Sequence, residues 1–363
     1  MIAANVMKNY TKSCLLDNFT LRMKHLALIA FLLVVLPIFA QNSDEEKIYT
    51  LRKNQWIWYS DIGYRTSPFT FRYDFTPEID KLKFRHNIKP ILGIGVHYKW
   101  FALRIGLGLP FTFYSVNQFG KHLPFNLGTQ FSVKKLFFDI DLRLNGGYVI
   151  KDAYRWNSDL TELEPHQLMP RVGTGSLSFN VWHFRNTEIN MRPILGRVGN
   201  YNRNASSIYL KYSLNVFEAR HGDSYTTYEL IPLDLINSAV SSTNASRITV
   251  MDVGLIPGYA MVKKLNNWQF SFIGGLGGVI QSKFYTNKTG LTRGFLGIAP
   301  RIDLRIIGGF NNEHYFCHLD TDFDIKTARI QNMAYRQYFY SIKLVGGIRL
   351  KEKNNTSKRK KYR

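Results

Sequence analysis

Phe101-Ala102-Leu103-Arg104-Ile105-Gly106-Leu107-Gly108-Leu109 sets a large apolar side chain at every odd position and Ala, Arg, Gly and Gly between them. A period of two gives a segment one apolar face and one small or charged face, which describes a strand; a helix needs its apolar positions three and four apart. The pattern recurs. Phe138, Ile140, Leu142 and Leu144 alternate with Asp139, Asp141, Arg143 and Asn145, and Ile208, Leu210, Tyr212, Leu214 and Val216 oppose Lys211, Ser213 and Asn215. Ile298, Ile302, Leu304 and Ile306 oppose Arg301, Asp303 and Arg305, and Tyr340, Ile342, Leu344, Ile348 and Leu350 oppose Ser341, Lys343, Gly347 and Arg349.

The connectors decide between a soluble sandwich and a closed membrane barrel. Strands are expected at 67–75, 89–99, 101–110, 125–133, 136–149, 171–183, 206–217, 248–262, 267–283, 292–309, 313–326 and 338–350, twelve in all. Short turns at Lys99-Trp100, Lys134-Lys135, 263–267 and 310–312 alternate with longer links at 76–88, 111–124, 150–170, 218–247, 284–291 and 327–337. Short turns at one end, long loops at the other and strands of about 9–11 residues are the signature of an antiparallel transmembrane β-barrel. The link at 184–205 breaks the rhythm, being long where a short turn is due, and is expected to carry an extra strand or a plug. Trp100, Phe101, Trp268, Phe270, Phe316 and Tyr340 fall near strand ends, where an interfacial aromatic girdle belongs.

Composition agrees with an all-β reading. Of 363 residues 45% are hydrophobic, 15% aromatic and 20% charged, too apolar for a disordered chain. A helical membrane protein would need spans of about 20 apolar residues, and the apolar run Leu26 to Phe39 is shorter. With Met23-Lys24-His25 before it, Ala40 after it and a polar stretch beyond, that run reads as a signal peptide at 23–40. Residues 1–22 read as an upstream extension, 41–66 as an N-terminal segment, 67–350 as the barrel and 351–363 as a basic tail. The two cysteines, Cys14 and Cys317, suggest neither a disulfide framework nor a metal site. The formal net charge of +22, on an exported chain, points to anionic lipid headgroups or envelope polysaccharide rather than to nucleic acid.

Candidate chemistry concentrates on the inward parity. His314, His318, Asp320, Asp322 and Asp324 share one strand face, but strand spacing strings them along a line instead of around one point, which favours an ion network over a metal or catalytic centre. The candidate lumen network comprises Arg104, Asp139, Asp141, Arg143, Arg301, Asp303, Arg305, His318, Asp320, Asp322, Asp324, Lys343 and Arg349, with Lys211 supplying further charge. Ser224 with His221 and Asp223 invites a hydrolase reading, yet no nucleophile elbow surrounds the serine, and adjacent residues seldom converge into a triad. His183 and Arg185 read as surface residues near a strand end. No catalytic, cofactor or metal residue is assigned.

Asp80-Lys81-Leu82-Lys83-Phe84-Arg85-His86-Asn87, then Leu92-Gly93-Ile94-Gly95-Val96-His97-Tyr98-Lys99-Trp100-Phe101 and the Phe119-Gly120-Lys121 turn, resemble a Bacteroidota envelope family known as domain of unknown function 4421. The resemblance runs over about residues 50–350, with His86 standing where proline is expected and a basic tail where barrels commonly stop at an aromatic residue. It implies an outer-membrane barrel without an assigned activity. The partners expected of a barrel in that location are outer-membrane lipid, lipopolysaccharide and the barrel-assembly machinery. The expected role is a non-enzymatic structural, binding or small-solute protein; the alternatives are a lipid-modifying barrel enzyme and a soluble periplasmic barrel binding lipid or glycan.

Overall fold

The computed structural model describes residues 48–350 apart from 53, 223–228, 238–239 and 288–289. The extension, signal peptide and basic tail expected at 1–22, 23–40 and 351–363 lie outside the described residues. The strands are β1 (Tyr49–Leu51), β2 (Trp56–Thr66), β3 (Phe69–Thr76), β4 (Ile79–Arg85), β5 (Pro90–Tyr98), β6 (Phe101–Gly108), β7 (Leu123–Val133) and β8 (Leu136–Ile150). They continue with β9 (Gln167–Phe184), β10 (Gly199–Tyr201), β11 (Ala205–His221), β12 (Ala245–Leu265), β13 (Trp268–Asn287), β14 (Thr292–Asn311), β15 (Tyr315–Ile330) and β16 (Met333–Leu350).

Starting from β2, neighbours run β5, β6, β7, β8, β9, β11, β12, β13, β14, β15 and β16, and β16 closes on β2 through pairs such as Ile348 with Trp58 and Leu344 with Ile62. The fold is a closed antiparallel transmembrane barrel of twelve strands. Closure removes every unpaired edge, the condition for spanning a bilayer with strands. The outward parity carries Ile105, Leu107, Leu214, Leu276, Ile298, Ile342 and Leu344, and Ile298 is 82% exposed. Trp56, Trp58, Trp100, Trp268 and Phe270 ring the short-turn end. Phe316, expected in that girdle, is buried and faces inward. Its neighbours Tyr315 and Cys317 take the outward positions, because the strand parity there runs opposite to the one its place near a turn suggested.

The count matches the sequence reading, and so do the positions of eleven strands, but the position of the first does not. The ring's first strand is Trp56–Thr66, so the segment 41–66 contributes to the barrel, and the strand expected at 67–75 is instead half of a hairpin, β3–β4. That hairpin sits in the wall at the long-loop end. β3 takes over from β2 on β16, pairing Phe71 with Tyr335, and β4 meets β8 at Phe84 with Ile150 and Arg85 with Val149. The wall therefore steps from twelve strands at the short-turn end to ten at the long-loop end, with β5, β6 and β7 stopping below the step. Pro68 and Pro90, which lack the N–H a ladder needs, mark the breaks. Gly147, at φ 80°, marks the register shift by which β8 leaves β7 for β4, and a Cβ there would overlap the Lys121 carbonyl oxygen.

The long link at 184–205 is a plug. It folds under the barrel as the short helix Met191–Ile194 and β10, which pairs with β1. The Asn190 side chain caps the helix by accepting from the Arg192 N–H at 3.0 Å. Met191, Ile194, Leu195 and Tyr201 are buried against Trp182, Phe184, Ala260 and Ile307 of the wall. At the opposite end the link expected at 327–337 is a tight turn, Gln331-Asn332, joining strands that run on past the apolar belt. Polar residues on both faces there, Thr327, Arg329, Arg336 and Gln337, hide the strand period.

Candidate functional site: the charged lumen

Between the plug and the hairpin, inward side chains of nearly every strand meet in one belt of ion pairs. Arg104 of β6 holds Asp61 of β2 through Nε and Nη2, each at 2.6 Å, across the bare backbone of Gly93, where a Cβ would collide with both. Asp141 bridges Arg65 and Arg143 at 2.6 Å each, and Arg143 reaches Asp322 at 3.7 Å. Lys211 pairs with Asp303 at 2.8 Å and Arg305 with Asp139 at 3.9 Å. Arg301 joins Asp252 and Asp324, the latter at 3.4 Å, and Lys326 also reaches Asp324. Asp320 lies between Arg197 of the plug at 3.3 Å and Lys343 at 3.4 Å. Nine cations thus face eight carboxylates, leaving almost no net charge to select an ion.

The structure brings most of the sequence-derived residues together and sends three elsewhere. Arg104, Asp139, Asp141, Arg143, Arg301, Asp303, Arg305, Asp320, Asp322, Asp324 and Lys343 all lie in the belt. His318 is buried beside it, its ring stacked on Phe316 at 5.6 Å. Among the described residues Arg349 pairs with no carboxylate and instead donates to the carbonyls of Gly196 and Arg197 and to Asn311 Oδ1 at 2.6–2.8 Å, tying the plug to β16. His314 does not share the inward face: it is exposed in the turn between β14 and β15, because β15 begins only at Tyr315. Asp223 and Ser224 lie outside the described residues. His183 and Arg185 are exposed. Asp61, Arg65, Asp252, Lys326 and Arg197 belong to the belt and were missed. On β2 the inward parity begins Ile57, Tyr59, as apolar as the outward one, so the contrast that marks a strand face was absent.

The belt encloses a polar cavity of about 80 Å³ lined by Arg104, Arg143, Asp320 and their partners. Arg104 Nη1, Arg143 Nη1, Arg301 Nε and Asp320 Oδ1 are buried without a partner among the described residues, positions that a few internal waters would satisfy. Among the described residues no group of three or more His, Cys, Asp or Glu is arranged to hold a metal.

Apolar packing closes both ends. On the long-loop side the hairpin directs Phe69, Phe71, Leu82 and Phe84 inward against Tyr148, Phe217, Ile248 and Tyr335, with Phe69 stacked on Phe84 at 4.3 Å. Tyr148 donates to the Ser67 carbonyl at 2.9 Å, fixing the break between β2 and β3. On the other side Arg192 of the plug helix bonds His97 Nε2 at 2.8 Å and the Lys99 carbonyl. At the step in the wall, His86 and His122, from the loops after β4 and before β7, stack face to face at 3.8 Å. Burial pushes His86 down to about 4, while burial and then the neighbouring His86 push His122 down to about 2, so both rings are neutral.

The model of a family described as a domain of unknown function, DUF4421, matches residues 62–346. The chain belongs to that family. The match spans the ring from the second half of β2 to β16 and includes hairpin and plug, so these are parts of the family domain. No curated protein matches the chain. Among solved structures it is similar to the Pseudomonas putida toluene transporter TodX, at 10% identity over 83% of this chain and 91% of that one, with a TM-score of 0.28. It is also similar to the translocator domain of the autotransporter NalP from Neisseria meningitidis, at 9% identity over 82% and 88%, with a TM-score of 0.35. Similarities this slight carry no argument about activity, and the fold assignment rests on the ring itself.

Proposed function

We propose that this DUF4421 protein is an outer-membrane barrel that conducts no solute and serves the cell envelope as a structural or binding component, without enzymatic activity. The observation that carries this reading is the filled lumen: a nearly neutral belt of ion pairs at mid-height, closed by aromatic packing on one side and a folded plug on the other. A pore needs a continuous polar path, and a catalyst needs a reachable constellation; the belt offers neither. The short turns and both ends of the barrel chain would face the periplasm and the long loops the outside. Its partners would be the lipids and lipopolysaccharide of that membrane and, during insertion, the barrel-assembly machinery. The test is the full chain refolded into lipid vesicles and fused to a planar bilayer. The expected outcome is heat-modifiable migration with no stable channel steps, and large steady currents of the kind a general porin gives would overturn the reading.

A further inference from the structure

The outward face of β3, β4 and β16 carries positive charge that the fold does not use. Cross-strand register sets Arg336 beside Thr70 and Lys83, and Ala334 beside Arg72 and Lys81, with Arg85 next along β4. Arg72 and Lys81 are directly opposed like charges, an arrangement that destabilises a sheet when nothing answers it. Asp80 answers Arg72 at 3.6 Å, both side chains being well exposed. Among the described residues no carboxylate pairs with Lys81, Lys83, Arg85 or Arg336. On another part of the same rim Glu218 holds Arg247 at 2.6 Å, and Arg293 donates to Ser241.

The height of this patch is set by β16. Along its outward face Leu344, Ile342, Tyr340, Tyr338 and Arg336 run from apolar through aromatic to charged, the succession expected where hydrocarbon gives way to headgroups. Two residues of tilted strand rise about 5 Å, so Arg336 and Lys83 stand about 10 Å beyond the Tyr340 row, and their long side chains can reach back toward it. Below them the same outward face holds an apolar groove of about 300 Å³, lined by Leu304, Ile306, Phe323, Tyr340 and Ile342.

We propose that this face binds a phosphate-bearing lipid of the outer leaflet, its headgroup phosphate on Lys83, Arg85 and Arg336 and one acyl chain in the groove beneath. The proposal rests on the outer-membrane reading. Charge complementarity selects an anionic headgroup, and the adjoining groove selects a lipid over a soluble phosphate.

The full chain is refolded into phosphatidylcholine vesicles, and heat-modifiable migration is scored first. Failure there counts against the barrel reading and is seen before any anionic lipid is present. Vesicles containing diphosphorylated lipid A, or the same lipid stripped of its phosphates, are then extracted in mild detergent, and retained lipid is counted by native mass spectrometry. The wild type is expected to retain the phosphorylated form preferentially. Lys83→Gln/Arg85→Gln/Arg336→Gln is expected to lower that retention at least about tenfold, since one cation near an anionic surface is worth roughly fivefold in affinity. Arg247→Gln/Arg293→Gln, on another part of the rim, is expected to leave it unchanged. Arg336→Gln alone serves if the triple variant fails to migrate as folded. Equal retention of both lipid forms, equal retention by wild type and triple variant, or equal loss in the rim control would each overturn the site.

Discussion

Replacing Asp61 tests whether the lumen belt acts as paired charge or merely fills space. Asp61 makes two bonds of 2.6 Å with Arg104, and both side chains are almost wholly buried. Among the described residues Arg104 Nη1 already lacks a partner, and no other carboxylate bonds to this guanidinium. Asp61→Leu therefore strands a buried cation, a change that costs about 3–5 kcal/mol. Arg104→Met strands the carboxylate at a similar cost of about 3–5 kcal/mol. The double variant removes both charges and leaves apolar groups over Gly93, so it is expected to be no worse than either single, giving a coupling of about 3 kcal/mol. The assay is urea unfolding of refolded protein in lipid vesicles, followed by tryptophan fluorescence and heat-modifiable migration. Costs of the two single changes that add within about 0.5 kcal/mol would show that the pair is not coupled and would refute the argument.

Leu103→Arg turns a charge toward lipid and is expected to lower the yield of heat-modifiable barrel, at a cost of about 2–4 kcal/mol near mid-membrane; unchanged assembly would reverse the assignment of faces. The neutral pair His86–His122 should make stability depend on pH in one direction. A folded-state value of about 4 for His86 lies below the ordinary 6.5, so the unfolded chain takes up a proton first as pH falls below about 6.5 and stability is lost down to about pH 4. Urea midpoints at pH 7 and pH 5 measure this, and His86→Gln should flatten the slope. Arg349→Ala removes the bonds to the plug carbonyls, and limited proteolysis from the short-turn side should then cut within 185–204 faster than in wild type.

The sequence made the barrel legible wherever a strand separates an apolar outward face from a charged inward one. In β6, β8, β11, β14 and β16 that contrast gives both the strand and the orientation of residues such as Arg104, Asp141 and Lys211. It fails where the interior itself is apolar. β2 packs Ile57 and Tyr59 inward onto the plug, and β3 and β4 pack Phe69, Phe71 and Phe84 inward onto the outer closure. β2 shows no alternation in polarity at its start, whereas β3 and β4 alternate in the reverse sense, with Phe69, Phe71, Leu82 and Phe84 inward and Arg72, Lys83 and Arg85 outward, so the ring's first strand was misplaced, and Asp61 and Arg65 were lost with it. The plug announced itself only as a link of the wrong length at 184–205, because its helix is a single turn and β10 has three residues.

A twelve-stranded ring encloses more space than side chains can fill in the way an eight-stranded barrel is filled. This chain closes the difference by position. At mid-height, long Arg and Lys side chains reach across to aspartates, and short acids opposed to long bases span a width that Leu or Phe could not. At the long-loop end the wall itself narrows, since the hairpin replaces β2, β5, β6 and β7 with two strands, and there an aromatic core suffices. At the short-turn end the ring stays at twelve, and the extra width is met by a separate piece of chain, the plug. The ion pairs are concentrated at the level between the narrowed wall and the plug, whose Arg197 reaches into them. That placement accounts for a belt that is paired and close to neutral: apolar packing above and below keeps bulk water from screening it, and in such surroundings an unpaired group is the costliest defect.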